Sequence, residues 1–265
     1  MTRSLAEIRH FLLDMDGTIY LGNRLLPGAK SFIENLVTKQ CSYLYFTNNP
    51  TKSAEDYARK LTDLGINAAP DQILTAGEAT AQYLALETPY RRIYTLSTPS
   101  FVEELSKAGL LVVDEDPEAV VLAFDTTLTY PRLARFCHLV RAGLPYIATN
   151  PDKVCPTEDG PIPDCGSIAA LVESATGRTP VYIGKPEATM VQMGLTKLGA
   201  SPAFTAMIGD RLYTDMEMAY RAGITSILVL SGETQESDLQ NAVQQPDYVV
   251  ANLGALEQLI LGMVD

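Results

Sequence analysis

Short apolar runs alternate along the whole chain with stretches of helical period. Runs of strand length fall near residues 9–14, 42–47, 92–97, 119–124, 145–149, 181–184, 204–209, 226–230 and 247–250, with a shorter one near 73–75. Between them apolar positions recur every three or four residues. Leu133, Phe136 and Val140 make one such stripe, and Tyr57, Leu61 and Leu64 another. This alternation predicts a parallel sheet with helices on both faces, an α/β fold. There is no fixed-period repeat, low-complexity tract or long charge block.

In sheets of this kind, sites form where the strands end at their carboxyl side. The first run, Phe11-Leu12-Leu13, ends in Asp14 and Asp16 on either side of Met15, followed by Gly17-Thr18. The second ends in Thr47-Asn48-Asn49-Pro50. The run near 181 ends in Gly184-Lys185-Pro186, and the run near 204 in Gly209-Asp210 with Asp215 beyond. Read as four strands of one sheet, they bring acid, hydroxyl, amine and acid to one edge. More than a hundred residues separate Thr47 from Lys185. They carry a strand–helix series of their own from about 90 to 178, too long for a connection within one domain. The expectation is a core domain of residues 1–77 and 180–265. An inserted domain, 78–179, is entered near Gly77 and left near Thr179-Pro180. The proline-rich run Cys155–Pro163 reads as a shaped loop of the insertion, not a linker.

Composition narrows the picture further. Apolar residues make up 46% of the 265, as in a globular protein and not a disordered one. Lys and Arg number 20 against 32 Asp and Glu, a net charge of −12. Such a chain is a poor partner for nucleic acid or an anionic membrane. An anionic substrate would have to be drawn by a local positive feature. The N-terminal MTRSLAEIRH is too polar for a signal peptide, and no apolar run approaches the ~18 residues of a membrane span. Cys41, Cys137, Cys155 and Cys165 have no CxxC spacing, so reduced thiols in a cytoplasmic protein are expected. His10 and His138 are expected to be structural.

Placing Asp14 beside Asp16 costs free energy unless a cation or a shared proton compensates. Carboxylate oxygens suit Mg²⁺, which is usually held by one or two carboxylates plus waters and a phosphate. Asp14, Asp16 and Asp210 could share such an ion, with Asp215 either a ligand or an acceptor behind the ligands. Thr47 offers a hydroxyl and Asn48 an amide in a loop that opens a helix, a setting that suits an anion. Lys185 is a lone cation in a backbone shaped by Gly184 and Pro186. Each motif alone has a plainer reading, as an Asx turn, a helix cap, a polar turn or a surface lysine. Together they surround a space for one phosphoryl group.

Asp14-Met15-Asp16-Gly17-Thr18, then Thr47-Asn48-Asn49, then Gly184-Lys185-Pro186, then Gly209-Asp210 with Asp215 resemble the four ordered motifs of the haloacid dehalogenase superfamily. The insertion between the second and third resembles subfamily IIA, the NagD-like or 4-nitrophenylphosphatase-like group. Ile147-Ala148-Thr149-Asn150-Pro151-Asp152 and Gly209-Asp210-Arg211-Leu212 extend the likeness. The resemblance implies a doubly wound, Rossmann-like core with an inserted α/β cap of the C2 type. It implies a Mg²⁺-dependent phosphatase acting on small phosphomonoesters, such as sugar phosphates or nucleoside monophosphates. Asp14 would be the nucleophile and Asp16 the acid and base. The ion would be bound by the Asp14 carboxylate, the Asp16 carbonyl and Asp210, supported by Asp215. Thr47, Asn48 and Lys185 would hold the phosphoryl oxygens. The cap would choose the substrate, through Asn150, Asp152 and the Asp125–Tyr130 segment. A homodimer formed through the cap is the assembly the resemblance suggests. Two departures stand out: Asp164 replaces a glycine of the cap loop, and Tyr213 stands where an Asp is frequent. The competing readings are a phospho-receiver module, a phosphotransferase or mutase, and a non-catalytic sugar- or nucleotide-binding protein.

Overall fold

The computed structural model describes residues 4–48, 53–155 and 160–262. The chain divides into two compact units, Met1–Thr47 with Ala54–Leu74 and Val191–Asp265, and Asn48–Ser53 with Thr75–Met190.

The first unit is built on a six-stranded sheet. Its order across the sheet is Tyr248–Val250, Thr225–Val229, Thr205–Gly209, His10–Asp14, Ser42–Thr47, Ile73–Thr75. Numbered along the chain, that is the doubly wound order 3-2-1-4-5-6, whose direction reverses between the first and fourth strands. The pairings of the first strand with both neighbours are parallel. Phe11, Leu12 and Leu13 are buried, as an apolar run covered on both faces requires. Helix Ala29–Thr38 turns Phe32, Ile33 and Leu36 onto Phe11 and Leu13, four and three residues apart on one stripe. Phe11 meets Phe32 edge to face at 5.9 Å. Burying each of these side chains contributes about 1.5–3 kcal/mol before the cost of ordering the chain.

The second unit carries a five-stranded parallel sheet in the order Val181–Tyr182, Tyr146–Ala148, Ala119–Leu122, Arg92–Leu96, Leu111–Val112. In chain order this is 2-1-3-4-5, again doubly wound. Leu96, Val120 and Leu122 pack under Phe136 and Val140 of helix Tyr130–Arg141 and Val172 of helix Cys165–Thr176. Leu111–Val112 was not legible as a strand, since two exposed residues at a sheet edge carry no alternation.

One expectation is corrected. The run near 181 does not join the sheet that holds Asp14. Val181 lies opposite Ile147 and Tyr182 opposite Ala148, and the ladder continues with Gly184 N–H donating to Thr149 O at 2.7 Å. An apolar Val-Tyr-Ile run fits the edge of either sheet, and its hydropathy does not say which. Among the described residues no helix is long and apolar enough to cross a membrane. The four cysteines are free.

Gly28 has φ +78°, and a Cβ there would collide with the main chain of Gly254, where helix Leu253–Gly262 starts. Gly28→Ala is expected to cost about 2–4 kcal/mol in urea unfolding, from left-handed strain plus overpacking. Gly22→Ala, at φ +60° with open space around it, is expected to cost only about 1 kcal/mol.

Candidate active site

Strand register builds the site. Asp14 lies opposite Phe46, so Thr47 follows one residue beyond the neighbouring strand's partner. Leu13 lies opposite Ile208, so Gly209-Asp210 emerges beside Asp14 on the other side. This is the edge at which the winding direction reverses, the place where open α/β sheets bind ligands. Asp14, Thr47 and Asp210 are buried there, and Asp215 is fully buried.

Beyond Gly209 the chain makes a π-helical turn over Leu212–Met216 before helix Glu217–Ala222 begins. Such turns recur at functional sites because they redirect a side chain. Here the turn brings Asp215 back, and its Oδ2 accepts from Arg211 N at 3.2 Å. One carboxylate oxygen from each of Asp14, Asp210 and Asp215 lies within 4.8 Å of the others. Glycines make the approach possible. A Cβ on Gly17 or Gly232 would collide with the Asp210 carboxylate, and one on Gly209 with the side chain of Asp215.

Three buried carboxylates this close repel one another unless a cation or protons compensate. Oxygen donors alone, hard and anionic, match Mg²⁺ and similar hard divalent ions better than zinc or copper. The donor set and its glycine cradle therefore fit a divalent metal. Asp16 is not one of this buried trio. Its side chain is exposed, and its backbone makes an isolated bridge to Tyr20. Tyr20 is wholly buried under the Lys60 ammonium, 3.7 Å from its ring. Burial, first, and the Asp16 carboxylate, second, hold its phenol far above the ordinary range.

Sequence reasoning passed over the loop after strand Thr225–Val229. Glu233 N–H donates to Asp210 Oδ2 at 2.7 Å, and Thr234 N–H to Asp210 O at 3.2 Å. The Glu233 carboxylate is held by Arg211 Nε at 2.9 Å and by the Tyr213 hydroxyl at 2.7 Å. Tyr213, the departure from the frequent Asp, thus helps tie this loop to the turn that carries Asp210 and Asp215. Applying the strand-end rule to this next strand would have found Ser231-Gly232-Glu233.

In the second unit, Lys185 is 4% exposed. Asn48 grips its main chain at both ends of one amide. Asn48 Nδ2 donates to Lys185 O at 2.9 Å, and Lys185 N–H donates to Asn48 Oδ1 at 2.8 Å. Asn48, expected to hold a phosphoryl oxygen, makes both of these bonds through its side-chain amide. Asn150 is fully buried; its Nδ2 donates to Asn48 O at 2.9 Å, and its Oδ1 accepts from Asp152 N at 3.2 Å. Asp125, also considered as a substrate contact, accepts from Thr127 N–H and hydroxyl and pairs with Arg132 at 2.9 Å. Tyr130 is exposed. Asn49 and Pro50 of the second motif, and residues 156–159 of the proline-rich run, lie outside the described residues.

Asp164, the other departure, has φ −104°, a backbone that needs no glycine. It caps helix Cys165–Thr176, its Oδ1 accepting from Cys165 N at 2.5 Å. Two residues on, Gly166 is required, because a Cβ there would strike the carbonyl of Pro151.

The chain belongs to the haloacid dehalogenase-like hydrolase family. Residues 11–111 match the family model described as haloacid dehalogenase-like hydrolase, and residues 182–256 the one described as HAD-hydrolase-like. An acid sugar phosphatase of Staphylococcus aureus is 36% identical over 250 residues, covering 94% of this chain and 96% of that protein. The crystal structure of a 4-nitrophenylphosphatase from Thermotoga maritima matches with a TM-score of 0.91 and 46% identity, over 97% of this chain and 98% of that one. NagD from Escherichia coli K-12 matches with a TM-score of 0.88 and 28% identity, over 93% and 97%. The fold is therefore the α/β fold of this family, and the neighbours fall in its NagD-like and nitrophenylphosphatase-like group.

Burial pushes the Asp164 carboxyl up to about 6; its bond from Cys165 N–H opposes this and nearby Asp152 adds to it. A carboxyl with a higher pKa folded than unfolded holds its proton more tightly in the folded chain. Its contribution thus favours folding at low pH and is lost as pH rises from about 4 through about 6. Asp164→Asn keeps the capping oxygen without the charge. Melting curves from pH 4 to 8 should show this variant gaining on the wild type as pH rises, and level with it or below it at pH 4.

Proposed function

We propose that this chain is a phosphatase that hydrolyses small phosphomonoesters with a divalent metal, through an aspartyl-phosphate on Asp14. The observation that carries the reading is the group of Asp14, Asp210 and Asp215 within 4.8 Å at the reversal point of the parallel sheet. The relatives, an acid sugar phosphatase and a 4-nitrophenylphosphatase, support esters of small alcohols and phenols.

Asp14, Asp210 and Asp215 would hold the metal, with Mg²⁺ the ion of choice for such oxygens, and the Asp16 carbonyl is proposed as a further ligand. When bound, the ion offsets the negative charge that gathers on the carboxylates and the phosphoryl oxygens. The Asp14 carboxylate attacks phosphorus while the ester P–O bond breaks. Asp16 gives its proton to the departing oxygen. In the second step Asp16, now ionised, takes a proton from water. That water attacks phosphorus, inorganic phosphate leaves and the Asp14 carboxylate is restored. Exposure suits Asp16 to this exchange, since its proton must reach a leaving group and then come from water.

The Thr47 hydroxyl and the Lys185 ammonium hold the phosphoryl oxygens. Support for pairing them comes from Asn48, which follows Thr47 directly in the chain and is bonded to both the N–H and the carbonyl of Lys185. The second unit acts as the cap that selects the alcohol portion of the substrate.

Turnover of 4-nitrophenyl phosphate with Mg²⁺ tests the reading. Asp14→Asn should fold and melt like the wild type yet lose turnover altogether; activity near the wild-type level would reject Asp14 as the nucleophile. Asp16→Ala should slow hydrolysis by about 10²–10⁴-fold for alkyl esters and by less for nitrophenyl esters, whose leaving group needs little protonation. Equal losses across leaving groups would reject the acid role.

A further inference from the structure

Asn150 ends the Tyr146–Ala148 strand segment of the second unit, with Thr149 between. Its place in the cap made it a candidate contact for the alcohol portion of a substrate. The bonds it makes point elsewhere. Its side chain is fully buried, with the amide nitrogen on Asn48 O and the amide oxygen on Asp152 N–H. Asn48 in turn holds both the N–H and the carbonyl of Lys185 with its own amide.

We infer that Asn150 is a positioning residue for the phosphoryl-binding cation, acting through Asn48 on Lys185, and that it reads no part of the leaving group. This rests on the proposed role of Lys185.

The chemistry explains why two asparagines are used. An amide supplies a donor and an acceptor a fixed distance apart. That is what the adjacent N–H and C=O of one residue require, and Asn48 meets both at Lys185. A carboxylate in its place would lack the donor, and a threonine would lack the reach. Asn150 repeats the arrangement one step back: its nitrogen fixes the carbonyl of Asn48 while its oxygen is fixed by the main chain of Asp152. Asp152 is itself anchored, its carbonyl accepting from Gly166 N–H at 2.8 Å at the start of helix Cys165–Thr176. A continuous set of bonds therefore runs from that helix start to Lys185. Close packing adds to it. A Cβ on Gly184 would collide neither with solvent nor with a mobile tip but with Asn48 Oδ1 and the Thr149 carbonyl, each 2.6 Å away. The segment ahead of Lys185 has one place to lie.

The test uses the whole enzyme and three variants, Asn150→Asp, Asn48→Asp and the double variant, each checked by circular dichroism and melting. Each substitution keeps shape and removes one donor. Two readouts are taken: inhibition by inorganic phosphate, and kcat/KM over esters with different leaving groups. Each single variant should weaken phosphate inhibition by about tenfold, the scale of a lost buried hydrogen bond. It should lower kcat/KM by a similar factor for every ester, so that their rank order is kept. The double variant should lose little more than the worse single one, because both act along one path. If Asn150→Asp fails to fold, Asn48→Asp and its effect on phosphate inhibition still decide whether the grip on Lys185 matters. A changed rank order of esters with phosphate inhibition intact would overturn the inference and return Asn150 to substrate selection. Unchanged values for both readouts would overturn it as well. A wild type that neither cleaves esters nor binds phosphate would instead reject the phosphatase reading itself.

Discussion

Repulsion among buried carboxylates is the constraint on which the first unit is organised. Asp14, Asp210 and Asp215 come within 4.8 Å of one another at the end of the sheet. A chain gains nothing in stability from such an arrangement without a compensating cation, and cores of comparable size are cheaper to build from apolar side chains. Several local features exist only to make it possible. Gly17 and Gly232 leave room at Asp210, and Gly209 leaves room at Asp215. The π-helical turn of Leu212–Met216 returns Asp215 to the cluster, and the backbone of Glu233 and Thr234 holds Asp210 in place. These features together build a cluster of oxygen donors that fits a divalent metal ion.

In the second unit the corresponding constraint is on the main chain of Lys185, the cation proposed to hold phosphoryl oxygens. Lysine is a flexible point charge, so its position depends on where its backbone is fixed. Lys185 is fixed by the Asn48 amide, which bonds both its N–H and its carbonyl, and by a preceding glycine with no room to move. Membership in the haloacid dehalogenase-like hydrolases accounts for the presence of both devices in one chain. It does not by itself say how each is built, and that is visible only in the hydrogen bonds.

The two departures noted in the sequence turn out to be local solutions and not gaps. Tyr213 reaches Glu233 with a hydroxyl, so the loop beside Asp210 is tethered from outside the buried cluster. Asp164 caps a helix in an extended conformation that any residue can adopt, at the expense of a partly suppressed ionisation. Neither removes a group that the proposed chemistry uses.

The sequence alone determined the class of fold, because apolar runs of strand length alternate with stretches of helical period along the chain. It also determined that Asp14, Thr47 and Asp210 come at strand ends, since each follows an apolar run of strand length. Tertiary structure alone decided which sheet each run joined. Val181–Tyr182 is apolar enough for either sheet, and only its ladder with Tyr146–Ala148 assigns it. It also decided what the two asparagines do. Hydrogen-bond partners more than a hundred residues apart, Asn48 with Lys185 and Asn150, leave no trace in local pattern, because an amide that binds a ligand and one that binds backbone are the same residue in sequence.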